Sequence, residues 1–265
     1  MKSDFDIITR QFPNKDIKIF GFYDVHLGAA EHLEKEFLDF RDMILKDPDS
    51  YCCIGGDLIN NATRSSVSNV FLETMRPMQQ KRLMTEILRP LAKEGRILCI
   101  VPGNHERRSL KDADDDPAYD IACKLDIEEL YRPSMAFLKV RFGNNRSDGE
   151  HNPTYVLLVA HGAGGGSMTG SAVNRSEKFS YTVDGIDLFM VGHTHRPFVT
   201  APAKMMVDTR QNRVSLKPVK IVSMASWLSY GGYAANALLS PTSTAAEVPQ
   251  VVILHGNKKQ IEVRM

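Results

Sequence analysis

Five short strings in this sequence combine side chains that bind metal ions or move protons. They are Asp24-Val25-His26, Gly56-Asp57, Gly103-Asn104-His105-Glu106, the isolated His161, and Gly192-His193-Thr194-His195. Five of the eight histidines fall in them. Imidazole, carboxylate and amide oxygen without thiolate suit Mn²⁺, Fe²⁺, Zn²⁺ or Ni²⁺. Seven candidate ligands, leaving out His105, are too many for one ion and suit two that share a carboxylate. Two ions ~3.5–4 Å apart can activate a water and clamp a phosphoryl oxygen. His105 is then a spare proton donor.

Each string ends an apolar run. Ile97 to Val101 reads as a buried strand that Pro102 and Gly103 close, aiming Asn104 and His105 out of its carboxyl end. Ile17 to Phe22, Tyr51 to Ile54, Thr154 to Ala160 and Asp187 to Val191 lead in the same way into the other four strings. Ligands of open α/β sheets bind at such exits, and the reading places all five on one sheet edge.

Leu33, Phe37, Phe40 and Ile44 share a helical face and predict a helix over 31–46. A second helical stretch is expected over 66–94, interrupted or kinked near Pro77, with Met84, Ile87, Leu88 and Leu91 buried. Strand and helix alternate, which argues for an α/β fold. Met135 to Phe142 should pair with Thr154 to Ala160 across a polar loop. Further strands are expected at Val199 to Val207 and Lys220 to Met224, and a closing hairpin over 248–264. Residues 226–247 read as irregular, with Trp227 and Tyr230 as packing residues. Asp112, Asp114, Asp115 and Asp116 read as a solvated helix start rather than a metal site. One domain over 1–265 is the expectation, without repeat or linker.

The 265 residues are 43% hydrophobic and 25% charged, ordinary for a globular protein with a full core. A net charge of +1 gives no nucleic-acid or membrane footprint. Cys52, Cys53, Cys99 and Cys123 form no Cys-x-x-Cys pair and read as reduced thiols of a cytoplasmic protein. No secretory signal or membrane span is recognisable.

In their order, Asp-x-His, Gly-Asp, Gly-Asn-His-Glu, a lone His and Gly-His-x-His resemble the calcineurin-like metallophosphoesterases, over roughly Ile17 to Pro197. The resemblance implies a four-layer α/β/β/α sandwich of two mixed sheets flanked by helices. It implies two divalent ions, manganese foremost, with iron, zinc or nickel as alternatives. Asp24, His26, Asp57 and His195 would hold the first ion. Asp57, Asn104, His161 and His193 would hold the second, with Asp57 bridging. His105 would be the general acid or a transition-state hydrogen-bond donor.

Arg107, Arg108 and Arg196 directly follow motifs and are candidates for phosphate contact. The glycines after His161 serve either close substrate approach or a tight turn. The Ser/Thr phosphatases of that family carry Gly-Asp-x-x-Asp-Arg-Gly, whereas this chain reads Asn60-Asn61-Ala62 and lacks the arginine. Lipid A precursor pyrophosphohydrolases share Gly-His-Thr-His-Arg-Pro but carry arginine at the position of His105. The first two motifs resemble SbcD-type DNA repair nucleases, whose capping domain has little room here. A phosphodiester or nucleotide-like ester is therefore the expected substrate, with DNA as runner-up. An interaction scaffold would typically have lost ligands that this chain retains.

Overall fold

The computed structural model describes residues 5–64, 66, 70–143, 152–166 and 168–265. The chain runs β1 (Ile8–Phe12), β2 (Ile17–Phe22), α1 (Glu34–Lys46), β3 (Ser50–Ile54), α2 (Pro77–Lys93), β4 (Ile97–Ile100) and α3 (Glu106–Ala113). It continues through α4 (Pro117–Lys124), β5 (Met135–Phe142), β6 (Thr154–Ala160), α5 (Thr169–Ser180), β7 (Leu188–Val191) and β8 (Phe198–Thr200). It closes with β9 (Ala203–Asp208), β10 (Arg213–Pro218), β11 (Lys220–Ser223), α6 (Gly232–Asn236), β12 (Val251–Leu254) and β13 (Ile261–Arg264).

Two large mixed sheets form the body. One has the order β13-β12-β2-β3-β4, with β2, β3 and β4 parallel. The other has the order β1-β5-β6-β7-β11-β8, with β6, β7 and β11 parallel. Period-two alternation splits the second sheet's side chains between two cores. Leu157, Val159, Leu188 and Met190 join the main core with Ile19, Phe22 and Ile54 of the first sheet. Leu158, Ala160, Phe189 and Val191 face α5, where Ala172 is buried. Helices α1, α2 and α4 pack together on the outer side of the first sheet, α1 directly on β3. The result is the α/β/β/α sandwich.

Several expectations shift in detail. The expected 66–94 helix begins only at Pro77, which sits in its first turn rather than at a kink. A proline there loses no helical hydrogen bond and has a preset φ. The described residues before it hold one 3-10 turn, Val70–Leu72. The first helix starts at Glu34 rather than residue 31. The strand expected over Val199 to Val207 breaks around Pro202 into β8 and β9. Residues 226–247 are irregular apart from α6. Trp227 is buried against Phe37 and Phe40, with ring centroids 5.2 and 5.0 Å away, but Tyr230 is half exposed. In the acidic run, Asp116 caps α4 by accepting from the Ala118 and Tyr119 N–H groups, and Asp114 ends α3. The tip of the β5–β6 hairpin lies outside the described residues.

Candidate metal centre

The carboxyl ends of both sheets meet at the five strings. Asp24 and His26 follow β2, Asp57 follows β3, and Asn104 and His105 follow β4. His161 follows β6, and His193 and His195 follow β7. The ligand set is therefore divided between two sheets, not carried on the one edge that strand order suggested. The reason is pairing: β6 and β7 join β5 and β11 rather than β4.

Five of these residues have left-handed backbones: Asp24, His26, Asp57, His193 and His195, with φ between 50° and 70°. Such conformations cost a non-glycine residue ~1–3 kcal/mol each and persist where surrounding structure enforces them. The enforcement is visible in backbone bonds. His26 N–H donates to the Asp57 carbonyl at 2.9 Å, and Asp24 N–H to the Gly56 carbonyl at 3.1 Å. Gly56 and Gly103 let the loops touch. A Cβ on Gly103 would lie 2.0 Å from Asp57 Oδ1, and one on Gly56 2.4 Å from the Gly103 nitrogen.

Each carboxylate is fixed through one oxygen and presents the other. His193 N–H donates to Asp24 Oδ2 at 2.8 Å, and His105 N–H to Asp57 Oδ1 at 2.8 Å. Asp24 Oδ1 and His26 Nδ1 are buried without a hydrogen-bond partner. Asp57 Oδ2 lies 3.3 Å from His161 Nε2 and 3.7 Å from His26 Nε2. His195 Nε2 lies 3.2 Å from His26 Nε2 and 3.5 Å from Asp24 Oδ1. Asn104 Oδ1 lies 2.8 Å from His193 Nδ1 and 3.0 Å from His161 Nε2. The His161 ring is oriented by Nδ1, 3.0 Å from the Gly55 carbonyl, which leaves Nε2 facing the cluster.

These separations fit metal binding. Ligand atoms ~2.0–2.2 Å from an ion stand roughly 3–3.5 Å apart. Two groups gather ligand atoms closely enough, Asp24–His26–His195 and Asp57–His161–His193. A third, His26–Asp57–His105, links them. The strings thus converge on one cluster of three overlapping groups, two of which contain Asp57.

The charges are tightly balanced. Burial disfavours ionised Asp57, yet the facing His161 and His105 hold its carboxyl well below the ordinary range. Burial opposes a charge on His161 too, but Asp57 outweighs it and lifts the imidazole to about 10. Burial, reinforced by His105, pushes His26 well below its ordinary value.

His105 is held differently. Its Nδ1 lies 2.6 Å from the Asn60 carbonyl, and its Nε2 lies 2.9 Å from Arg108 Nη2. A guanidinium only donates, so Nε2 accepts and Nδ1–H donates to the carbonyl. Burial lowers the pKa of His105, and Arg108 lowers it further against the pull of Asp57.

The three arginines do not converge. Arg108 and Arg196 line the open cleft over the cluster, a cavity of about 520 Å³. Arg107 lines a separate side cavity and donates to the Pro133 carbonyl. Arg196 is buried, with Nη2 3.4 Å from the Ser240 carbonyl.

Glu106 has a role that the sequence reading missed. It is buried, and its carboxylate accepts from the N–H groups of Gly103 at 2.8 Å, Asp57 at 2.9 Å and Ile59 at 3.2 Å. One side chain therefore ties the β3 exit to the β4 exit. Burial and the nearby Asp57 raise its pKa to about 7. The available signal was an acidic residue in a first helical turn directly after a Pro-Gly break. Asn61 supports the same junction, donating to the His105 carbonyl at 2.7 Å and to Ser109 Oγ at 2.8 Å.

No curated protein matches this sequence. Among solved structures, a metallophosphoesterase from Sphaerobacter thermophilus is similar, with 13% identity and a TM-score of 0.39 over 94% of this chain and 87% of that one. A conserved uncharacterised protein and predicted phosphoesterase from Streptococcus pneumoniae is also similar, with 10% identity and a TM-score of 0.37 over the same shares. The model of the calcineurin-like phosphoesterases matches residues 18–197, more than half of the sequence, and the chain belongs to that family of metal-dependent phosphoester hydrolases.

Proposed function

We propose that this chain is a dinuclear phosphodiesterase supported by manganese, acting on a nucleotide-like ester. The observation that carries the reading is the position of Asp57 Oδ2, 3.3 Å from His161 Nε2 of one ligand group and 3.7 Å from His26 Nε2 of the other. Asp24, His26, His195 and Asp57 hold one ion, and Asp57, Asn104, His161 and His193 hold the other. Bound ions there supply Lewis acidity, neutralising phosphoryl oxygens and acidifying a water. Ion binding also displaces the protons that otherwise compensate the two carboxylates.

The side chains do the remaining work. Arg108 and Arg196, on the cleft lining, contact the phosphate. The Asn60 carbonyl keeps Nδ1–H of His105 engaged, so Nε2 is the nitrogen that takes up a proton from solvent and then delivers it to the leaving oxygen. In the structure Arg108 covers that nitrogen. A phosphate in the cleft draws the guanidinium to itself and frees Nε2. His105 then protonates a poor alkoxide leaving group. Three buried thiols, Cys52, Cys53 and Cys99, support a reducing, cytoplasmic location.

The test is turnover of a cyclic nucleotide, an aryl monoester and duplex DNA with Mn²⁺, for the wild type and His105→Asn. The cyclic nucleotide should be hydrolysed fastest, and His105→Asn should cut its turnover by ~10²-fold or more. Cleavage of DNA alone would make the protein a nuclease. Unchanged turnover would remove His105 from the reaction.

A further inference from the structure

Beside the metal cluster lies a second cavity, of about 480 Å³, between α5 and the sheet strands β6 and β7. It has the size of a small-molecule site. Asn104 and His161 form part of its wall, so it opens from the ligand cluster itself. The loop of Gly164, Gly165 and Gly166 lines both this cavity and the open cleft. Neither the metal ligands nor His105 account for its interior.

That interior has a definite chemistry. Met135, Ala172, Phe179 and Phe189 supply apolar surface, and the two phenyl rings stand 5.8 Å apart at 46°. Two lining residues carry buried hydroxyls with no partner, Thr194 Oγ1 and Ser223 Oγ. Ser223 is only 1% exposed. A buried hydroxyl without a hydrogen bond is destabilising, so a ligand that supplies partners for both is favoured. Arg107 and Arg175 add two planar guanidiniums to the lining. Arg175 Nη1 is anchored on the Ala163 carbonyl at 2.9 Å. Guanidinium planes stack on aromatic faces.

We infer that this side cavity binds the heteroaromatic base of a nucleotide-like substrate, with Thr194 and Ser223 hydrogen-bonding its ring heteroatoms. An alkyl chain would fill the apolar volume but leave both hydroxyls unpaired. A sugar would satisfy the hydroxyls but waste the phenyl and guanidinium faces. A flat ring with edge acceptors and donors satisfies both. The inference rests on the phosphodiesterase reading for the identity of the ligand, but its test needs neither ions nor turnover.

The test uses chelator-treated full-length protein and 2-aminopurine riboside, whose fluorescence reports ring stacking. Saturable binding is expected, displaced by adenosine and not by ribose or 1-hexanol. Ser223→Ala should weaken it several-fold. Ala172→Phe, which fills the cavity, should abolish it. Should that variant fail to fold, Ser171→Trp, at an exposed lining position on the first turn of α5, serves as the block. Absence of saturable binding by the wild type would overturn the inference. So would displacement by 1-hexanol as effective as by adenosine, or Ser223→Ala binding equal to wild type. Because no ion and no ester enter the measurement, a protein that hydrolyses nothing can still pass it, and an active phosphodiesterase can still fail it.

Discussion

At the scale of single residues, the site is built by carboxylates that each do two jobs. Asp24 pins the backbone of His193 and Asp57 that of His105 with one oxygen, and each presents the other to imidazoles. Their types and order were legible in the sequence because a metal centre needs particular atoms, and those atoms belong to few residue types. The left-handed backbones were not legible, since aspartate and histidine enter that conformation more often than most residues but far less readily than glycine. Nor was Glu106, whose partners are N–H groups brought close only by folding. Glu106→Gln replaces one accepting oxygen by an amide that faces backbone donors. It should cost ~1–3 kcal/mol in unfolding free energy and weaken ion binding, because a buried donor is left unpaired. Urea unfolding with parallel metal titration checks this. Unaltered stability and affinity would show that the loops hold themselves.

At the scale of elements, apolar runs revealed the strands that deliver ligands, because parallel strands buried on both faces read as continuous hydrophobic segments. Elements without such a run were missed. Helix α5 buries only Ala172, Ser176 and Ser180, so it shows no large apolar stripe, and the side cavity beneath it was invisible. Strand β1 has two buried residues, Ile8 and Phe12, at its ends, and its pairing with β5 spans more than a hundred residues. Strand β10 is largely exposed and was missed, whereas its partner β9 fell within the strand expected over Val199 to Val207. The turn from α1 to β3 carries its own lock. Asp47 accepts from Asp49 N–H at 3.0 Å, Ser50 Oγ at 2.7 Å and Lys18 Nζ at 2.7 Å. The Lys18 bond is the main reason its pKa falls from 3.8 to about 2. A carboxyl whose folded pKa lies below its unfolded one adds stability above the unfolded value and loses it as pH falls through the folded one. Asp47→Asn should therefore be less stable than wild type near pH 6, and the gap should close by about pH 2. Denaturant unfolding at the two pH values reads this directly, and a gap of equal size at both would assign the effect to something other than ionisation.

At the scale of the whole molecule, the active cleft exists only where two sheets abut. The first sheet contributes Asp24, His26, Asp57, Asn104 and His105, and the second contributes His161, His193 and His195. Two of the three ligand groups, Asp24–His26–His195 and Asp57–His161–His193, cross the boundary, and only His26–Asp57–His105 comes from the first sheet alone. Strand order in the chain could not show that boundary, because it depends on which edges pair. Ion binding should accordingly staple the sheets together and raise thermal stability. Among the described residues no helix is long and apolar enough to cross a membrane. The central claim is that two ions share Asp57, and counting ions tests it most directly. Metal analysis of Mn²⁺-loaded, desalted protein should find about two ions per chain in the wild type and fewer than one in Asp57→Ala, with both proteins folded by circular dichroism. An Asp57→Ala protein that keeps two ions, or a folded wild type that binds none, would contradict the account.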